Sequence, residues 1–189
     1  NSACSGKGEI NMQYVKKHYN ITKDDIKSGK LDSMEIIEPL WMKVSIYDGY
    51  NRYESDLSAF SKGQRLIFAI EWYEAEVCNG GHDQFFYNST GVVWKDALEG
   101  FKLIGAEKCA ENFENVINKF GGTIPFDREE RQKKLDEISY DSEKDAYLDI
   151  FGEYDSVFYG IDEELESLMM KYIKSNPDEF VFCGDVDVP

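Results

Sequence analysis

Two groups of residues have the types and spacing to do chemistry. The first is the run Glu76-Val77-Cys78-Asn79-Gly80-Gly81-His82-Asp83-Gln84-Phe85-Phe86-Tyr87-Asn88-Ser89-Thr90-Gly91. It packs amides, hydroxyls, two carboxylates, a thiol and an imidazole around a Gly-Gly break. His82 and Asp83 are adjacent, and on a helix adjacent side chains point about 100° apart, so they do not form an acid–base pair. No serine or cysteine stands beside a base that could activate it, so the stretch reads as non-enzymatic. Glu74, Cys78 and His82 step by four and would align as metal ligands on an unbroken helix. Gly80-Gly81 breaks that register, and His18 is remote, so neither a metal site nor a cofactor is expected. What remains is a polar corner. Gln84 and Asn88 share one helix face, Phe85 and Phe86 diverge into the core, and Asn88 and Ser89 can bond freed backbone groups.

The second group is acidic. Asp141, Asp145 and Asp149 step by four, as do Asp149 and Glu153, with Asp155, Asp162, Glu163 and Glu164 following. On one continuous helix a four-residue step rises about 6 Å, near the span of two backbone phosphate steps on one nucleic-acid strand. Such a helix would present carboxylates to a basic groove. The same spacing also describes a solvated face of an acidic helix.

The elements that must position these groups are helical. Ser33 is expected to cap a helix from Met34 to about Tyr47, with Pro39 inside it. Ser61-Lys62-Gly63-Gln64 is a capping box for a helix from Lys62 to about Cys78, with Leu66, Ile67, Ile70, Tyr73 and Val77 as its buried stripe. His82–Asn88, Val92–Ile104, Ala106–Phe120 and a segment capped by Asp127 follow. Further helices are expected from about Ser142 to Tyr159 and from a cap at Asp162 to Pro177. Every long segment has a period near 3.6 and none alternates persuasively. The fold class is therefore all-α, a single-domain bundle of about seven to eight helices. Residues 1–30 read as a weakly ordered arm, disordered over Asn1–Ile10; residues 31–183 read as the helical domain and 184–189 as a frayed tail.

Charge bounds the partners. Of the 189 residues 37 are acidic and 21 basic, a net of −16 at pH 7. Residues 127–189 alone carry −12, against −4 for residues 1–126. A polyanion would be repelled, so direct nucleic-acid binding is excluded and basic partners are favoured. No apolar run reaches the roughly 20 residues of a membrane span. Cys4, Cys78, Cys109 and Cys183 form no CxxC pair and read as reduced thiols, which fits a cytoplasmic location. Ser2-Ala3-Cys4-Ser5-Gly6 resembles a lipoprotein cleavage region, which makes lipid anchoring through Cys4 the alternative.

The run Glu76-Val77-x-Asn79-Gly80-Gly81-x-x-Gln84-Phe85-Phe86-x-Asn88-Ser89-x-Gly91 resembles the signature of a bacterial family of acidic, all-helical proteins of mostly unknown function. One member of that family is a DNA mimic that binds a transcription factor. The flanks agree: Gly63-Gln64-Arg65, Glu71-Trp72, Leu103-Ile104-Gly105-Ala106 and Pro125 with Asp127-Arg128 and Glu130-Arg131. The resemblance spans about Leu57 to Tyr172. It departs at Cys78, where the family has Asn, and at His82, where an aromatic is usual. It implies an interaction protein whose acidic face occupies the nucleic-acid-binding face of a basic protein such as a DNA-binding regulator, and it implies a homodimer. Two alternatives stand beside it. One is a small-ligand-binding protein or hydrolase using the Asn79–Gly91 corner. The other is an immunity-type protein that neutralises a basic toxin.

Overall fold

The computed structural model describes residues 14–188. Cys4 and the disorder expected over Asn1–Ile10 lie outside them. The described chain begins with strand β1 (Val15–Ile21), followed by helices α1 (Lys23–Ser28), α2 (Ser33–Lys43), α3 (Tyr50–Leu57) and α4 (Lys62–Tyr87). A 3-10 turn (Ser89–Val93) leads into α5 (Trp94–Ile104), α6 (Glu107–Lys119) and α7 (Arg128–Ser139). Strands β2 (Tyr140–Asp141) and β3 (Ala146–Tyr147) make a small hairpin before α8 (Gly152–Tyr159), α9 (Leu165–Ser175) and strand β4 (Phe182–Val188).

Helix α4 is the axis of the molecule. The Ser61–Gln64 capping box forms as expected: the Gln64 amide donates to Ser61 Oγ at 3.0 Å, and the Ser61 amide donates to Gln64 Oε1 at 2.9 Å. Its apolar stripe meets α2, α5, α7 and α8. Tyr73, fully buried, is ringed by Phe85, Phe101, Phe113 and Phe158, with ring centroids 4.6–5.2 Å away. Edge-on aromatic packing of this kind adds to the area buried.

The fold is mostly helical but not purely all-α. β1 and β4 pair antiparallel from Val15↔Val188 to Ile21↔Phe182. Part of the expected N-terminal arm and most of the expected tail are thus the two strands of one ribbon. The alternation is present in β4, where Phe182, Gly184, Val186 and Val188 are the more buried positions. Interleaved acids disguise it, and its partner lies at the other end of the chain. Helix α3 was also not anticipated; its residues follow an Asp48-Gly49 turn and only Tyr53 and Leu57 are buried. At α2 the cap is Asp32, not Ser33, since the Glu35 amide donates to Asp32 Oδ1 at 2.8 Å.

The expected helix from Ser142 to Tyr159 does not form. Asp141 Oδ1 accepts the amides of Glu143 and Lys144, at 3.0 and 3.3 Å, which closes a turn instead. Asp145 takes a positive φ of 51° in that turn. Helix resumes only at Gly152, where Asp149 Oδ1 accepts the Phe151 and Gly152 amides at 3.2 and 2.8 Å. No helix among the described residues is long and apolar enough to cross a membrane.

Candidate functional site

The corner is built around a break within α4. Gly81 has φ 72° and ψ −177°, a region essentially open to glycine alone, and Gly80 is also non-helical. The break frees backbone groups on both sides, and neighbouring elements take them up. On the upstream side the Val77 carbonyl accepts from the Tyr159 hydroxyl at 3.1 Å. On the downstream side the His82 amide donates to Asp155 Oδ1 at 2.9 Å, so a carboxylate on α8 caps the second half of α4. The same oxygen accepts from His82 Nδ1, which leaves Nε2 to accept from the Tyr73 hydroxyl. His82 is fully buried. The ring links the aromatic core to α8.

A clamp spans the break. Glu76 Oε1 accepts from Gln84 Nε2 at 2.9 Å and from Asn88 Nδ2. The amide pair that suggested a ligand pocket is therefore turned inward onto Glu76. Phe85 and Phe86 are both fully buried, Asn79 is exposed at the bend, and Ser89 opens the 3-10 turn.

The C-terminal end of α4 is closed by α7. Arg131 is fully buried and donates to the carbonyls of Phe86 (2.7 Å), Asn88 (2.8 Å), Phe126 (2.9 Å) and Pro125 (3.1 Å). Arg128 Nε and Gln132 Nε2 both donate to the Tyr87 carbonyl, at 3.2 and 2.8 Å. Cations belong at a helix C-terminus, where carbonyls lack amide partners and the dipole is negative. Burial pulls the Arg131 pKa down to about 10, which still leaves it charged at neutral pH. Gly91 lies against the guanidinium: a Cβ there would come within 2.7 Å of Arg131 Cζ. The sequence carried a signal for Arg131, because it falls on the α7 stripe with Leu135 and Ile138.

The acids take a different arrangement from the expected ladder. Asp145, Asp149, Glu153, Glu163 and Glu164 are exposed, while Asp141, Asp155 and Asp162 are half-buried. They do not share one helix. Asp141 and Asp149 shape turns, Asp155 caps α4, and Asp162 accepts from Cys78 Sγ at 3.4 Å. Burial and that carboxylate push the Cys78 thiol up to about 12. Several of these acids join Glu71, Glu74 and Asp83 of α4, forming a row along that helix. At one end Ser33 Oγ lies between Glu71 and Glu166. A hydroxyl has one proton to give, so both contacts are satisfied when Glu71 is protonated and itself donates. Burial, with Glu166 nearby, accordingly pushes Glu71 up to about 7 against the lowering effect of Ser33. Glu74 is also raised to about 7, by burial and then by Glu71, Asp162 and Glu166. The row continues through Asp162 at Cys78 and Asp155 at His82 to Asp83, whose pKa is raised by burial and by Asp149, Asp155 and Asp136.

Around this row stands a mostly helical domain organised on a motif-bearing corner whose Gln84, Asn88 and His82 side chains are bonded within the chain. Residues 58–176 match the family model described as DMP19-like protein, well over half of the chain, and the chain belongs to that family. No curated protein and no solved structure matches it.

Proposed function

We propose that this protein is a non-enzymatic interaction protein whose acidic surface occupies the nucleic-acid-binding face of a basic protein such as a DNA-binding regulator. The observation that carries this reading is the concentration of carboxylates along α4 and the α7–α9 region. Residues 127–189 have a net charge of −12, and Asp145, Asp149, Glu153, Glu163 and Glu164 are exposed there. The reading rests on the field of this surface, since a helical ladder at phosphate spacing is absent. Such a field steers a basic partner and is screened by salt. Four exposed tyrosines, Tyr87, Tyr140, Tyr147 and Tyr159, lie among or beside these acids. Aromatic groups of this kind supply anchors in protein interfaces. The resemblance of the corner motif is what suggests an interaction role, and the homodimer belongs to the same reading.

The test is capture of basic proteins at low and high salt, with wild type and the double charge reversal Asp145→Lys, Asp149→Lys. The captured regulator is then offered labelled duplex DNA. Salt-sensitive capture, weakened by the reversals and competed by DNA, is the expected result. Capture that ignores both salt and the reversals, or a complex that still binds DNA fully, refutes the reading. Sedimentation equilibrium of the free protein tests the homodimer.

A further inference from the structure

A cleft of about 520 Å³ opens where the C-terminal half of α4, helix α7 and the chain between β3 and α8 meet. Three carboxylates stand in its wall: Asp83, Asp136 and Asp149. None of them is in an ion pair among the described residues. Asp149 commits Oδ1 to the start of α8, which leaves its other oxygen available. Burial and the neighbouring acids hold the Asp83 carboxyl above its ordinary range, as expected where negative charges gather without a counter-ion. Tyr87 and Tyr147 also line the cleft and are 50% and 65% exposed.

An independent feature lies in the same wall. Ser139 is 6% exposed, and its buried hydroxyl has no hydrogen-bond partner. Buried hydroxyls are ordinarily paired, so an unpaired one beside a cleft marks a place where an incoming polar group completes the site. The combination defines the missing group. It must be cationic to answer three carboxylates. It must carry several donors to reach them together. It must be able to pack against two exposed phenol rings. A guanidinium meets all three conditions, being planar, weakly hydrated and able to stack on aromatic faces with five donors in a fixed fork. A lysine ammonium is a compact, strongly hydrated point charge and meets the first condition better than the others. The volume lies within the roughly 300–1,000 Å³ of small-ligand pockets, enough for one arginine side chain and its flanking backbone.

The geometry points to this cleft as the seat of an arginine side chain from the basic partner, held by Asp83, Asp136 and Asp149 against Tyr87 and Tyr147. The inference rests on the acidic-surface reading and deepens it, because it names the residue type that the surface selects.

The probe is the peptide acetyl-Gly-Gly-Arg-Gly-Gly-amide, titrated at low salt into the isotopically labelled full chain and followed by amide chemical shifts. Citrulline and lysine counterparts serve as controls. Shifts centred on Asp83, Tyr87, Ser139 and Leu148 are expected, with binding about tenfold weaker or worse when citrulline replaces arginine. Tyr147→Ala removes an exposed ring and should weaken the arginine peptide roughly two- to fivefold. Asp136→Asn should weaken it further. Shifts that bypass the cleft, or Tyr147→Ala and Asp136→Asn binding as wild type does, overturn the assignment. Equal affinity for the lysine peptide overturns the choice of arginine. If the peptide fails while salt-sensitive capture of basic proteins persists, the cleft inference falls alone; if capture fails too, both fall.

Discussion

Arg131→Met removes the guanidinium that closes the corner and keeps most of its apolar volume. Four carbonyls lose a charged donor: Phe86, Asn88, Pro125 and Phe126. Hydrogen bonds to charged groups are worth about 1.5–3 kcal/mol each, so the gross loss is on the order of 6–12 kcal/mol. Against this, a guanidinium no longer has to be stripped of water, which returns several kcal/mol. The net expected loss is about 3–5 kcal/mol, equivalent to a fall in Tm of roughly 6–20 °C for a chain of this size. Urea unfolding followed by far-ultraviolet circular dichroism measures it. The m-value should stay constant, since the same surface is exposed on unfolding. Arg131→Lys should fall between the two, because one ammonium cannot reach all four carbonyls. The Gly91→Ala change provides an internal control. Its Cβ collides with the guanidinium, so it should cost less in the Arg131→Met background than in wild type. A loss below about 1 kcal/mol for Arg131→Met, or strict additivity with Gly91→Ala, would refute the argument that this buried cation holds the corner shut.

Other perturbations read out neighbouring parts of the same construction. Glu71 has a folded pKa of about 7, above its ordinary value of 4.5, so the folded state binds the extra proton between those pH values and stability falls as pH rises through that window. Glu71→Gln should remove roughly 3 kcal/mol of that pH dependence and stabilise the protein at pH 8; an unchanged unfolding profile across pH 4.5–8 would contradict the assignment. Gly81→Ala forces a side chain into a conformation reserved for glycine, against the Asp155 carboxyl, and should cost about 1–3 kcal/mol or more in thermal unfolding. His82→Phe leaves the Tyr73 hydroxyl and Asp155 without their shared partner and should cost about 2–4 kcal/mol. Adding Tyr73→Phe should recover part of that loss, and a double-mutant cycle without coupling would show that the ring's bonds are unimportant.

The legible parts of the fold were those with local signals. The α4 cap, its apolar stripe and the Gly-Gly break are visible in Ser61-Lys62-Gly63-Gln64, in the 3.6-residue period and in the dipeptide itself. The β1–β4 ribbon was hidden because interleaved acids disguise the alternation of β4 and its partner lies 167 residues away, at His18↔Asp185. The 142–151 region departs from the helix that its apolar spacing predicts, and Tyr147 and Leu148 of that stripe are exposed. Aspartate and serine compete for backbone amides, and Asp141 and Asp149 each do so here. The corner was legible as a unit but its chemistry was not. Nothing local says that Gln84 and Asn88 both turn to Glu76, that Asp155 arrives from α8 to cap His82, or that Arg131 fills the end of α4.

These internal bonds bear on function through what they leave exposed. A break in a long helix ordinarily creates a flexible or ligand-ready point, because unpaired amides and carbonyls attract partners. Here α7 and α8 supply those partners from within the chain. The arrangement uses Asp155 and Asp162 on the inside and ties α8 to the middle of α4. Fixing α8 there also fixes Asp149, at its start, beside Asp83 on α4 and Asp136 on α7. The rigid corner and the acidic cleft are therefore one construction. The half-buried acids hold the elements in place, and the exposed ones carry the field. A substitution that loosens the corner should blur the cleft without altering net charge. Gly81→Ala should thus weaken cleft-specific binding of the arginine peptide while leaving long-range, salt-sensitive attraction to basic proteins largely intact.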